Sequence, residues 1–227
     1  MMASANQIIE TITIRNLLPM VFAGMETTEK ICSSRIWGEQ SFVFRRGCRI
    51  CIHAESGSGK SSLVNFIYGT RQDYKGEILF DDRDIRELDV EQWCAVRTGN
   101  ISLLPQDMGL FPELTVVQNI ALKNNRTGYK TDTQIIELLD RVGIADKRDV
   151  PVGKLSIGQM QRVALVRAVC QPFDFIFLDE PVSHLDAKNN SVVAEIISEE
   201  AERQGAGIIA TSVGNHLLLD NSQFISL

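Results

Sequence analysis

Residues 54–62 read Ala54-Glu55-Ser56-Gly57-Ser58-Gly59-Lys60-Ser61-Ser62, a glycine-rich bend followed at once by a lysine and two hydroxyls. Gly57 and Gly59 let successive backbone N–H groups turn toward one point, forming an anion-binding nest at the start of a helix. With Ser56 and Ser58 in the same bend, the loop is suited to the phosphates of ATP. Lys60 then reaches the β- and γ-phosphates, the Ser61 hydroxyl binds Mg²⁺, and Ser62 bonds on the α-phosphate side. The strict pattern asks for Gly where Ala54 stands, and Ala54 serves if its φ is negative. The plain alternative, a Gly/Ser-rich surface turn before an ordinary helix, does not account for Lys-Ser-Ser at this spacing.

Such a loop requires a buried strand entering it and a helix leaving it. Arg49-Ile50-Cys51-Ile52-His53 is a short apolar run behind the turn signal Gly47, and Leu63, Phe66 and Ile67 fall at helical spacing until Gly69. Phe175-Ile176-Phe177-Leu178 is uninterrupted, as a central parallel strand must be, and it ends on Asp179 and Glu180. Ligands of open α/β sheets bind beyond the carboxyl ends of the strands, which brings this acid pair beside Lys60. Asp179 then holds Mg²⁺ through water and Glu180 polarises the attacking water. A lone Asp-Glu before Pro181 would merely cap a strand; together with the phosphate loop it completes the set that hydrolysis needs.

The 227 residues carry 44% hydrophobic and 23% charged side chains with net charge −6, a soluble globular composition that argues against a strongly basic nucleic-acid binder. No stretch approaches the ~20 apolar residues that span a bilayer, and no secretory leader is expected. Cys32, Cys48, Cys51, Cys94 and Cys170 show no paired zinc spacing and read as core-filling thiols in a reducing cytosol.

Residues 8–14 and Ser41 to Phe44 are β-branched or aromatic and predict an N-terminal antiparallel β layer. Further strands are expected over Gly76 to Phe80 and Asn100 to Leu104. Helices are expected over Thr115 to Leu122 and Thr131 to Val142, the second with a Thr131/Gln134 capping box and a Gly143 stop. The expectation is one domain over 1–227, with an α/β core from 1–106 and 158–227 and an inserted helical subdomain over 107–157.

Leu155-Ser156-Ile157-Gly158-Gln159 resembles the Leu-Ser-Gly-Gly-Gln signature of ABC-family ATPases, with Ile157 the one departure. Met160 to Ala168 is similar to the family's signature helix, Gln106 after Leu103-Leu104-Pro105 to its Q-loop, and Ser183-His184-Leu185-Asp186 to its D-loop. The likeness runs in family order from about residue 40 to the C-terminus. Asp107 to Leu122 resembles the corresponding segment in the cluster of lipoprotein-releasing, cell-division and macrolide-export ATPases.

The resemblance implies a P-loop NTPase (RecA-like) α/β fold and an ATP- and Mg²⁺-dependent ATPase that powers a separate integral membrane permease. It also implies a cytoplasmic location, peripheral on the membrane through that permease, and no nucleic-acid partner. Ser156, Gly158 and Gln159 would bind the γ-phosphate of ATP held by a second ABC ATPase subunit, identical or paralogous, in a head-to-tail dimer. Gln106 would contact Mg²⁺ or water, and Asp186 would link the two sites. Taken alone, Ser156 and Asp186 are also good helix N-caps.

Ser212, after Gly207-Ile208-Ile209-Ala210-Thr211, stands where the family places a switch histidine. A serine hydroxyl offers no imidazole N–H at the γ-phosphate, so slower turnover is expected. His216 reaches the site only if the loop curls back; a solvent-facing or helix-capping role is expected for it. Phe22 is the candidate for stacking on adenine, with an ordinary core position as the alternative. Leu110 and Phe111 either present an apolar docking face or fill the subdomain's own core.

Overall fold

The structure is a computed structural model describing residues 7–55 and 57–227. Among the described residues, nine strands form two sheets: β1 (Thr11–Pro19), β2 (Ser41–Arg45), β3 (Arg49–His53), β4 (Tyr74–Phe80), β5 (Arg83–Asp84), β6 (Ile101–Leu104), β7 (Phe175–Asp179), β8 (Gly207–Ser212) and β9 (Gln223–Ser226). Helices are α1 (Glu29–Cys32), α2 (Lys60–Ile67), α3 (Val90–Gly99), α4 (Val116–Asn124), α5 (Asp132–Arg141), α6 (Ile157–Val169) and α7 (Ala187–Gln204). Among the described residues no helix is long and apolar enough to cross a membrane.

The second sheet is parallel, in the order β6-β7-β8-β3-β9. The middles of its central strands, Ile50 to Ile52, Phe175 to Leu178 and Ile208 to Ala210, are apolar because both faces are covered. On β7, Phe175 and Phe177 turn toward the layer containing β1, β4 and α2, whereas Ile176 and Leu178 turn toward α6, α7 and the helical segment. Ile50 and Ile52 against Cys51, and Ile209 against Ile208 and Ala210, alternate in the same way. Phe177, fully buried and edge-on to Phe44 at 6.4 Å, joins the two sheets. Phe177→Ala is expected to cost about 3–5 kcal/mol of stability, read by urea denaturation.

The first sheet, β2-β1-β4-β5, is antiparallel, as the β-branched N-terminal runs predict. Its first strand departs from the expected 8–14: it begins at Thr11 and runs on to Pro19. The backbone ahead of it bonds to side chains instead, since the Asp174 carboxylate accepts the Ile9 N–H and the Asp81 carboxylate the Glu10 N–H. The extension passes through a register shift between Arg15 and Leu18, with Asn16 at φ 46°. Gly76 admits it, because a Cβ there would lie 2.3 Å from the Asn16 carbonyl oxygen.

Capping boxes fix α4 (Thr115, Gln118), α5 (Thr131, Gln134) and α6 (Ser156, Gln159). Gly143, at φ 68°, follows α5 as its sequence position implies. Val116 and Ile120 of α4 and Leu138 and Leu139 of α5 share one buried cluster with Ile176 and Leu178 of β7, so the helical segment packs into the same core as the sheet.

All five thiols are free, but only part of the core-filling expectation holds. Cys51 and Cys170 are buried and Cys48 half-buried, and burial pushes the Cys170 thiol up to about 12 and Cys48 to about 11. Cys32 and Cys94 are exposed: Cys32 lies on a one-turn helix at the surface and Cys94 on the outer side of α3.

Candidate functional site

The register of the parallel sheet sets the site. His53 pairs with Ser212 and Asp179 with Thr211, so β3, β7 and β8 end side by side at one edge. Ala54, Glu180 and the residues after Ser212 therefore leave the sheet together. The Ala54 N–H donates to the Ser212 carbonyl (3.3 Å), and the Glu180 N–H to the Thr211 carbonyl (3.2 Å).

In the loop, Gly57 (φ 77°) and Gly59 (φ 98°) occupy the left-handed region that glycine tolerates. Gly59 has a second reason to be glycine: a Cβ there would lie 3.1 Å from the Trp37 ring. Trp37 supports the loop from beneath and donates its indole N–H to the Ser58 carbonyl at 3.0 Å. Phe22, half-buried against the same cluster, also borders Gly59. Ala54 does not take a positive φ, which meets the condition on its use in place of glycine. Ser56 lies outside the described residues.

Lys60 is buried at the start of α2, and its ammonium donates to the Ala54 (2.8 Å) and Glu55 (2.9 Å) carbonyls, using two of its three protons. Burial pulls its pKa below the usual lysine value, and the charges of Glu180 and Asp179 pull it back up. The Ser61 hydroxyl donates to Gln106 Oε1 at 3.3 Å. Ser61, Gln106 and Asp179 line one cleft of about 380 Å³. Ser62 Oγ accepts from Arg71 at 2.9 Å, a cation that Asp73 holds in place.

Asp179 is buried at the end of β7 and accepts from the Thr211 hydroxyl at 2.5 Å. Glu180 sits at φ 53°, a conformation that costs a non-glycine residue about 1–3 kcal/mol. Its neighbours hold it there: Thr211 takes its N–H, and Gln161 Nε2 donates to its carbonyl at 2.9 Å. Gln161 Oε1 in turn accepts the His184 N–H at 3.1 Å, joining α6, Glu180 and residues 183–186 into one hydrogen-bonded body.

Ser156 Oγ accepts the Gln159 N–H (3.3 Å) while Gln159 Oε1 accepts the Ser156 N–H (2.9 Å), so both side chains cap α6. Gly158 lets the helix approach His184, whose carbonyl oxygen would lie 3.0 Å from a Cβ at 158. Ile157 projects outward and is 50% exposed. Asp186 caps α7 by accepting the Asn189 N–H at 2.8 Å, a bond that lowers its pKa. Among the described residues, these groups bond to their own helices and to one another, not to residues 54–62.

His216 overturns its expected solvent-facing or helix-capping role. The turn after β8 curls back, placing its Nδ1 2.6 Å from the buried Ser212 hydroxyl, and the ring packs edge-on to His53 (5.1 Å) and Phe224 (5.3 Å). The cause lies in α7: Asn190, buried, donates to the His216 carbonyl at 2.8 Å and accepts the Leu218 N–H at 3.2 Å. Of the two residues proposed for docking, Leu110 packs half-buried against the core, while Phe111 stands 53% exposed.

Two features of the site suit a phosphate ligand with a hard cation. The buried Ser58 hydroxyl finds no hydrogen-bond partner among the described residues, inside a loop shaped as an anion nest. Ser61, Gln106 and Asp179 offer oxygen donors, the kind Mg²⁺ takes. Among the described residues, no group of three or more His, Cys, Asp or Glu could hold a metal ion.

The sequence profile described as "ABC transporter" matches residues 38–183, which include the phosphate loop, Gln106, Leu155 to Gln159, Asp179 and Glu180. The chain is 27% identical over 184 residues to the lipoprotein-releasing system ATP-binding protein LolD of Shewanella denitrificans, covering 80% of this chain and 79% of LolD. It is 32% identical over 178 residues to the phosphonates import ATP-binding protein PhnC 2 of Oceanobacillus iheyensis, covering 73% of this chain and 69% of that protein. The dimeric ATP-binding cassette MJ0796, bound to ADP and Pi in a post-hydrolysis state, superposes with a TM-score of 0.71 at 22% identity, covering 90% of this chain and 88% of the cassette. That likeness shows the P-loop NTPase fold. With the motifs in order along the chain and their side chains gathered at one sheet edge, this protein belongs to the ABC transporter family.

Proposed function

We propose that the chain is an ATP-binding and ATP-hydrolysing subunit that drives a separate integral membrane permease, held at the cytoplasmic face of the membrane by that partner. The observation that carries this reading is the common edge of β3, β7 and β8, where Lys60, Asp179, Glu180 and Ser212 converge beside Ser61 and Gln106. In this reading Ser56 to Ser62 cradle the ATP phosphates, Lys60 neutralises the β- and γ-phosphates, and Phe22 borders the base. Ser61, Gln106 and Asp179 would hold Mg²⁺, which would neutralise negative charge on the phosphates. Glu180 orients the attacking water and takes its proton. Ser156, Gly158 and Gln159 form the start of α6, where the N–H groups that the capping box leaves free and the helix dipole meet ATP on a second subunit, identical or paralogous, and Asp186 lies between the two sites. Residues 107–157 form the helical subdomain of a single ATPase unit.

Ser212 and His216 act as a pair: the imidazole fixes the hydroxyl's orientation, so that serine donates where the family uses a histidine. Ser212→Ala and His216→Ala are each expected to slow Mg²⁺-dependent turnover by roughly tenfold, about 1.4 kcal/mol at the transition state. The double substitution should cost no more than either single one, because residues acting as a unit are non-additive. Ser212→His should keep or raise the wild-type rate. Steady-state ATPase assays of the four variants test the pair, and additive losses or unchanged rates would refute it. The whole reading is tested by solubilising native membranes and purifying the tagged chain. Recovery of a polytopic protein supports it, and recovery of ribosomes or nucleic acid in its place contradicts it.

A further inference from the structure

Arg71 brings a cation other than Lys60 to the phosphate loop. It follows the end of α2, and its side chain runs back along that helix. The guanidinium stands over the buried Phe66 ring at 5.3 Å, and its Nη1 donates to Ser62 Oγ at 2.9 Å. Nε and Nη2 form a two-point fork with the Asp73 carboxylate, Nε lying 2.9 Å from Oδ1. The backbone beneath is fixed by Asn65, whose carbonyl accepts the Thr70 (3.0 Å) and Arg71 (3.3 Å) N–H groups and whose Nδ2 donates to the Ser61 carbonyl at 2.7 Å. Arg71 is thus held in place from both its main chain and its side chain.

The fork to Asp73 uses the Nε/Nη2 edge of the guanidinium and leaves the Nη1 side to Ser62. Of the five N–H donors three are used, and one on each terminal nitrogen has no acceptor among the described residues. The side chain is 43% exposed, so a ligand can reach them. Ser62 Oγ is already an acceptor from Arg71, and its own proton has no acceptor among the described residues, which leaves the hydroxyl free to donate. Donors from two side chains therefore meet at one place, the arrangement that suits an anionic oxygen.

That place lies between the two ends of a nucleotide. The Asp73 carbonyl accepts the Met20 N–H at 2.9 Å, which ties this turn to the segment carrying Phe22, and Phe22 in turn borders Gly59 of the phosphate loop. With Ser62 on the α-phosphate side and Phe22 toward the base, the anion that falls between them is the α-phosphate. A ribose hydroxyl would bring no negative charge to a guanidinium, whose planar donors match phosphate oxygens.

We propose, on the ATP-binding reading, that Arg71 is a nucleotide ligand: its two free N–H groups and the Ser62 hydroxyl hold the α-phosphate, and Asp73 keeps the guanidinium aimed at it.

Isothermal titration of ADP and of the non-hydrolysable ATP analogue AMP-PNP, both with Mg²⁺, tests this on the full chain. Arg71→Ala and Arg71→Gln should each weaken both nucleotides by roughly tenfold and by the same factor, because both nucleotides carry an α-phosphate. Arg71→Gln keeps the stem over Phe66, so lost packing does not account for a loss shared by the two variants. Arg71→Lys keeps the charge without the fork and should recover part of the affinity. The factor should be the same for 2′-deoxy-ADP, and Ser62→Ala should cost less in the Arg71→Gln background than alone, since the two side chains share one ligand. Wild-type affinity in both Arg71→Ala and Arg71→Gln, a loss that disappears with 2′-deoxy-ADP, or additive losses from Ser62→Ala and Arg71→Gln overturns this inference and leaves the ATP-binding reading standing. A wild-type chain that binds neither nucleotide overturns that reading as well.

Discussion

Replacing Glu180 with Gln is expected to lower steady-state ATP hydrolysis by about 10²- to 10⁴-fold while leaving ATP binding intact. The amide keeps the shape of the carboxylate but cannot take a proton from water. The backbone around it should not move, because the bonds that hold residue 180 at φ 53° come from Thr211 and Gln161 to its main chain and do not involve its side chain. The variant should therefore separate chemistry from binding: kcat falls and nucleotide affinity, read by isothermal titration, stays. Turnover equal to that of the wild type would remove Glu180 from the mechanism.

Lys60→Ala is expected to act on the other half of the problem. The ammonium is buried, bonded to the Ala54 and Glu55 carbonyls, and close enough to Asp179 and Glu180 to feel both charges. Its loss removes a charged hydrogen bond to phosphate and the tie that closes the loop on itself. A charged hydrogen bond is worth about 1.5–3 kcal/mol, so ATP affinity should fall by roughly 10- to 150-fold. Lys60→Met keeps the buried stem and should show the same loss, which assigns it to the charge. Unchanged affinity in both variants would place the nucleotide elsewhere.

The parts of this molecule legible in its sequence are those whose cause is local. β3 and β7 read as strands because their middles, Ile50 to Ile52 and Phe175 to Leu178, are buried on both faces and so are apolar, and Thr131 with Gln134 reads as a cap because its partners lie three residues apart. The phosphate loop and the acid pair follow, since each is carried at the end of such a strand. Groups bonded across long separations were not legible. Trp37 supports Ser58 from 21 positions away, Thr211 bonds Asp179 across 32, and Gln161 holds Glu180 across 19. The fold of residues 212–216 departs from the sequence expectation for the same reason, because Asn190 on α7 decides where His216 goes. The start and length of β1 likewise turned on Asp174, Asp81 and Gly76, all distant in sequence. At Ser156 and Asp186, helix capping, one of the readings open from sequence, is what the structure displays. Capping and an anion at the same helix start are compatible, since a cap satisfies only part of the free N–H groups there.

The composite site is the central claim: phosphate loop and acid pair from one chain, the start of α6 from another. Light scattering of Glu180→Gln after size-exclusion chromatography with saturating ATP and Mg²⁺ tests it most directly, because slow hydrolysis leaves the ATP-bound form intact. The expected mass is twice the 25.3 kDa of the chain with ATP and a single chain without it. A single-chain mass at ATP concentrations that saturate binding would contradict a site shared between two copies of this protein.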